Sequence, residues 1–82
     1  MYTVAPTAIF ESGFRIVVRT NDHDPPHAHV IRAGADLRVY LDGTRPAERV
    51  VGRMRHTDEQ KAVRLVAKHR ALLLVIWRRF HP

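Results

Sequence analysis

HAHVIRAGADLRVYL, residues 27–41, is the stretch on which the fold turns. In DLRVYL, Leu37, Val39 and Leu41 fall on one face and Asp36, Arg38 and Tyr40 on the other, the period of two of a strand with one dry side. HAHVIR, His27 to Arg32, reads as a second strand, and Ala33 and Gly34 between them turn the chain. Residues two apart on a strand project to the same side, so His27 and His29 stand together.

Working outward, FRIVVRT alternates with Phe14, Ile16 and Val18 on one face and Arg15, Val17 and Arg19 on the other. Thr3 to Phe10 is β-branched and aromatic but contains Pro6, which lacks a ladder donor, so it predicts an edge strand. Glu11, Ser12 and Gly13 predict the turn joining these two into a hairpin. Asn21 to Pro26 is loop by composition, with Pro25 and Pro26 delivering the chain stiffly into His27. Beyond Asp42 and Gly43, TRPAERVVGRMRH suggests a short fifth strand over Arg49 to Met54, with Gly52 suited to a bulge.

A helix is predicted from Asp58 to Arg79, with no interior glycine or proline. Thr57 is the expected cap, Gln60 closes a capping box, and Asp58 and Glu59 face the positive helix end. Ala62, Leu65, His69, Leu72, Ile76 and Phe80 form the stripe expected to cover the sheet, with His69 a hydrogen-bonded structural histidine. Lys61, Arg64 and Lys68 share another face that continues into Ala71 and Val75, and the change from basic to apolar predicts a dimer contact there. The expected architecture is one small basic α+β domain over residues 1–82, an antiparallel sheet of four or five strands packed on one long C-terminal helix.

Composition bounds the function. An 82-residue chain holds one core, and without cysteine neither a disulfide nor a thiolate zinc site can staple it. The start MYTVAPTAIFES lacks a secretory pattern and the longest apolar run, Ala71 to Trp77, is far short of a membrane span, so the expected location is cytoplasmic. Net charge is +6, and twelve of the fourteen basic residues are arginine, whose fork matches phosphates and carboxylates. That balance points to a nucleic acid or an acidic protein surface as partner, with Arg15, Arg19, Arg32, Lys61, Arg64 and Lys68 as contacts. The phosphate-cradling patterns GxGxxG and GxxxxGK are absent, as are GxSxG and HExxH.

The chemistry concentrates in DHDPPHAHV, residues 22–30. His27 and His29 could converge on a divalent metal, with His23, Asp22 or Asp24 as third ligand and open positions left over. Without a metal, His23, His27 and His29 could act as acid and base at a phosphodiester whose phosphate Arg15, Arg19 or Arg32 binds. A third reading is structural: an aspartate caps the turn and the histidines hold the strand entry.

Asp22, His23, Pro25, Pro26, His27, His29 and Val30, followed by a hydrophobic strand and a long C-terminal helix containing Trp77, resemble the signature D-H-x-P-P-H-x-H-V of the small bacterial proteins grouped as domain of unknown function 4160. The resemblance covers most of the chain. It implies a component of a toxin–antitoxin pair acting beside a second small protein, and it carries no catalytic residues. Greater arginine content, and Arg78, Arg79 and Phe80 after the tryptophan, set this chain apart.

Three functions are therefore expected to compete. One is a small basic binding protein of toxin–antitoxin or mobile-element type acting on nucleic acid or a nucleoprotein complex. Another is a toxin-like nuclease using the His23, His27 and His29 cluster. The third is an anti-CRISPR-like inhibitor of a host defence complex.

Overall fold

The computed structural model describes residues 8–82. Five strands, β1 (Ala8–Glu11), β2 (Phe14–Val17), β3 (His27–Arg32), β4 (Ala35–Tyr40) and β5 (Glu48–Val51), precede two helices, α1 (His56–Lys68) and α2 (Arg70–Phe80). The strands form one antiparallel meander in chain order. An α+β fold with the predicted sheet is therefore present, but the helix is two segments rather than one.

Two tight turns set the register. Ser12 and Gly13, and again Ala33 and Gly34, all have positive φ, which gives two-residue connections whose twist matches that of the strands they join. Arg32 consequently pairs with Ala35, and the ladder places His29 opposite Arg38 and His27 opposite Tyr40. β1 ends one residue beyond the expected edge strand, and its expected start at Thr3 lies outside the described residues. β5 begins one residue before the expected Arg49 and stops at Val51. Its bulge is at Val50, because Asp36 pairs with Val51 and Leu37 with Arg49, whereas Gly52 follows the strand with φ of +61°.

One sheet face is the core. Phe14, Ile16, Val18, Ala28, Val30, Leu37, Val39 and Leu41 pack against Ala62, Leu65 and Val66 of α1 and Leu73, Ile76 and Trp77 of α2. The expected stripe was correct at Ala62, Leu65 and Ile76, and Phe80 packs partly buried at its end. Leu72 is a correction. At about 100° per residue, Leu73 falls about 20° from the direction of Ala62 and Leu72 about 80° away, so Leu73 is fully buried and Leu72 is 49% exposed.

The helix is interrupted at His69, with φ −101° and ψ 14°. No glycine or proline marks the place. Hydrogen bonds from His69 N to Leu65 O and from Leu73 N to His69 O cross the interruption at 3.1 and 2.9 Å, which keeps the apolar stripe in phase. The His69 ring meets Glu11 of β1 through Nε2 at 2.8 Å, and Lys68 meets the same carboxylate at 2.6 Å, so this histidine is hydrogen-bonded, as expected.

The expected cap is also corrected. The helix starts at His56 with Arg55 as its cap residue and no side-chain cap bond, which puts Thr57 inside the first turn. Tertiary pairing replaces the capping box: Glu59 receives two hydrogen bonds from Arg49 of β5, at 2.8 and 3.0 Å, and Asp58 lies 3.5 Å from Arg32. Neither helix is long and apolar enough to cross a membrane.

Candidate metal centre

The sheet face away from the core carries the histidines. Strand alternation aims His27 and His29 there, beside Val17 of β2 and Asp36, Arg38 and Tyr40 of β4. The loop through Asp22 to Pro26 closes over them: Leu41 N donates to Pro26 O at 3.0 Å, fastening the loop end to β4, and the Asp24–Pro25 peptide is cis. The result is burial unusual for polar side chains, with His29 1% and His27 5% exposed.

Asp22 Oδ2 lies 3.0 Å from His27 Nε2 and 3.0 Å from His29 Nε2. The other nitrogen of each ring is already engaged. His27 Nδ1 is 2.8 Å from Pro25 O, an atom that can only accept, so this nitrogen carries the proton. His29 Nδ1 is 2.8 Å from Asp36 Oδ1, and the second oxygen of Asp36 receives Arg19 Nη2 at 3.0 Å, which keeps that carboxylate an acceptor. Arg19 Nη1 is 3.4 and 3.5 Å from the two nitrogens of His29, which sets the guanidinium across the ring rather than in line with one lone pair.

With both Nδ1 atoms donating, the neutral form of each ring presents a bare lone pair at Nε2 towards the Asp22 oxygen. Three acceptors then converge, and their repulsion is relieved in either of two ways: a second proton on each buried ring, or a cation between them. The geometry suits the cation. Two ligand atoms about 2.1 Å from a metal and about 90° apart are separated by about 3.0 Å, and the three ligand atoms here lie within 4.8 Å of one another. The partners of the Nδ1 atoms are those that orient histidine ligands in metal sites, a backbone carbonyl for one and a carboxylate for the other.

Burial alone would raise the Asp22 carboxyl. In the form with a second proton on each ring, the charges of His29 and His27 and the hydrogen bonds from their Nε2–H groups outweigh it and hold this carboxyl below its ordinary range, which is the ion-paired alternative to a bound cation. His27 also packs at 5.1 Å on the Trp77 ring, whose other partner is His81, stacked at 3.8 Å and 12°. His81 Nδ1 donates to Trp77 O at 2.9 Å, so the end of α2 supports the centre from behind.

The structure brings together part of what the sequence suggested. Asp22, His27 and His29 converge; His23 is exposed and outside the ligand group, lining the neighbouring cavity with Asp24. Arg19 is committed to Asp36. Arg15 is exposed on the histidine face, whereas Arg32 lies on the core side, over the Phe14 ring at 5.0 Å and bonded to Ser12 O. Lys61 and Arg64 are exposed on α1 and Lys68 is paired with Glu11, so the six basic residues form no single patch. Ala71 and Val75 are exposed, as the expected contact requires. Asp36, Arg38, Tyr40 and His81 were not singled out from the sequence.

A family described as Domain of unknown function (DUF4160) matches residues 13–78, a span that includes the whole histidine cluster and both helices up to Arg78. The chain belongs to this family. DUF4160 membership covers the sheet from the β1–β2 turn onward and assigns no activity to it. No curated protein and no solved structure matches the chain.

Proposed function

We propose that this DUF4160 protein is a metal-dependent nuclease of the toxin-like kind, with a divalent cation held by Asp22, His27 and His29. One observation carries the reading: both histidines spend Nδ1–H on fixed acceptors and turn Nε2 towards one carboxylate oxygen at 3.0 Å. Two histidines and one carboxylate leave coordination positions open, and a divalent ion in such a site lowers the pKa of bound water enough to make a nucleophile near neutral pH. The net charge of +6 favours a polyanionic substrate. A toxin–antitoxin or mobile-element setting, implied by the resemblance, is compatible with such an activity.

A binding module with a structural cluster is the second reading, favoured by the near-complete burial of both rings. Calorimetry with Zn²⁺ and Mn²⁺ near pH 7.5, paired with digestion of single-stranded and duplex RNA and DNA, separates the two. The nuclease reading expects saturable metal binding with one site, cleavage abolished by chelation, and both lost in H27A and H29A. Metal binding without cleavage of any of the four substrates would leave the protein a metal-stabilised binding module, cleavage without metal binding would make the histidines a metal-free acid/base pair, and neither binding nor cleavage would make the cluster structural.

A further inference from the structure

The metal centre borders a cavity whose far wall has no part in holding a cation. About 210 Å³ in volume, it has Asp22 and His27 on one side, Arg38 and Tyr40 on the other, and His23 and Asp24 beside them. The register explains the juxtaposition. Arg38 is the direct cross-strand partner of His29, and Tyr40 that of His27, on the same sheet face and about 5 Å away at Cβ. Any ligand entering to reach the open coordination positions past Asp22 and His27 therefore meets the Arg38 guanidinium.

Arg38 is positioned with donors to spare. Glu48 of β5 accepts one hydrogen bond from Arg38 Nη1 at 3.0 Å and another from the Tyr40 hydroxyl at 2.7 Å, so a single carboxylate oxygen anchors both residues. The Arg38 Nε–H is buried and so is not among the donors the cavity can use; those are the Nη N–H groups that Glu48 does not take, on a side chain that is 35% exposed. A guanidinium has five N–H groups, and its planar fork suits two oxygens of a phosphate. Size limits the guest: at about 30 Å³ per water the cavity holds about seven waters, room for one phosphate group with part of its hydration, and it stays below the roughly 300 Å³ at which pockets for whole small molecules begin.

We propose that this cavity is the substrate subsite of the metal centre, and that it takes a single phosphate group of a nucleic acid, with Arg38 as the phosphate-binding residue and the sugar and base left outside. The proposal rests on the metal reading above. It has a consequence for specificity. Contacts to phosphate position a nucleic acid but carry no sequence information, so cleavage is expected to show no base preference. Asp24, a carboxylate in the same cavity wall, opposes an anion there and makes the subsite weaker than it would be without that charge.

The test uses the full chain loaded with Mn²⁺ and inorganic phosphate as probe, read by paramagnetic broadening of the ³¹P resonance. R38M is expected to weaken phosphate binding about ten- to a hundredfold, the range for a charge-assisted bidentate pair, with Mn²⁺ affinity within about threefold of wild type. R38K should recover part of the loss, and D24N should tighten phosphate. Equal phosphate affinity in wild type and R38M, with Mn²⁺ bound by both, overturns the subsite and leaves the metal centre standing. A wild-type protein that binds neither Mn²⁺ nor Zn²⁺ overturns both. Competition by an oligonucleotide with hydroxyl ends assigns the subsite to internal diesters; competition by a 5′-phosphorylated one alone assigns it to a terminal phosphate. Melting curves confirm that each variant is folded.

Discussion

Replacing Asp36 with asparagine separates a metal centre from a hydrogen-bonded cluster without removing any ligand. Asp36 is buried, accepts from His29 Nδ1 at 2.8 Å and receives Arg19 at 3.0 Å. Asparagine keeps the shape and one acceptor oxygen, so His29 holds its orientation, but its amide then turns a donor towards Arg19 and the carboxylate charge is gone. Carboxylates behind histidine ligands contribute about ten- to a hundredfold to metal affinity, or about 1.4–2.8 kcal/mol. Retention of the acceptor puts D36N at the lower end, near tenfold. Without metal, the variant loses the charge assistance of the His29 bond and the Arg19 pair. Arg19 is 40% exposed, so solvent screening discounts that pair to less than about 1 kcal/mol, and the total loss is about 1–2 kcal/mol. Calorimetric titration with Zn²⁺ gives the first number and urea unfolding under chelation the second. If D36N binds zinc as tightly as wild type while H29A does not bind, the carboxylate tunes nothing and the reasoning from its position fails.

Other consequences are simpler to read. L73A should cost about 2–5 kcal/mol in urea unfolding and L72A less than about 1, because one side chain is fully buried and the other half exposed; equal losses would refute the helix phase. The hydrogen bonds from Lys68 and His69 hold the Glu11 carboxyl below its ordinary 4.5, and those from Tyr40 and Arg38 do the same for Glu48. A depressed folded-state value means stability fully present above about pH 4.5 and lost as pH falls through the lower value. E11Q and E48Q should therefore flatten the acid limb of the melting temperature against pH. If Ala71 and Val75 form a contact between two copies, light scattering at micromolar concentration reads a dimer that V75E dissociates, since the charge would be buried unpaired; a wild-type monomer removes that expectation.

Local periodicity made most of the fold legible. Alternation in residues 14–18 and 36–41 assigns the core face because one side of the sheet is dry and the other is not. Two places resisted for the same reason, that a tertiary partner decided them. The helix start follows Arg49 and Arg32 reaching Glu59 and Asp58 rather than the Thr57 and Gln60 box. The interruption at His69 coincides with the Glu11 contact, fifty-eight positions away in the chain and without a local signal. Leu72 differs: its misplacement was an error of phase, since a stripe through Ala62, Leu65, Val66, Leu73, Ile76, Trp77 and Phe80 keeps closer to 3.6 residues per turn.

The site was half legible, and the missing half was within reach. Spacing alone paired His27 with His29, but Asp22, His23 and Asp24 were interchangeable as a third ligand until the Pro25–Pro26 turn had a shape. The residues behind and across from the histidines follow from one further step. Once Ala33 and Gly34 are taken as a two-residue turn, Arg32 must face Ala35, and counting back along both strands puts Ile31 opposite Asp36, His29 opposite Arg38 and His27 opposite Tyr40. Asp36 and Arg38 then fall on the histidine face by alternation, one diagonal to His29 and the other directly across from it. A carboxylate placed to orient the ligand and a guanidinium placed beside the open coordination positions are thus fixed by the same turn. A one-residue slip of the register would send both to the core face, so an insertion between Ala33 and Gly34 that propagates into the ladder, rather than being absorbed as a three-residue loop, should weaken zinc binding by about the ten- to a hundredfold that the Asp36 carboxylate contributes, with every ligand still in the chain. Unchanged zinc affinity in that insertion variant, with the register shifted and the fold retained, would show that β4 contributes nothing to the centre.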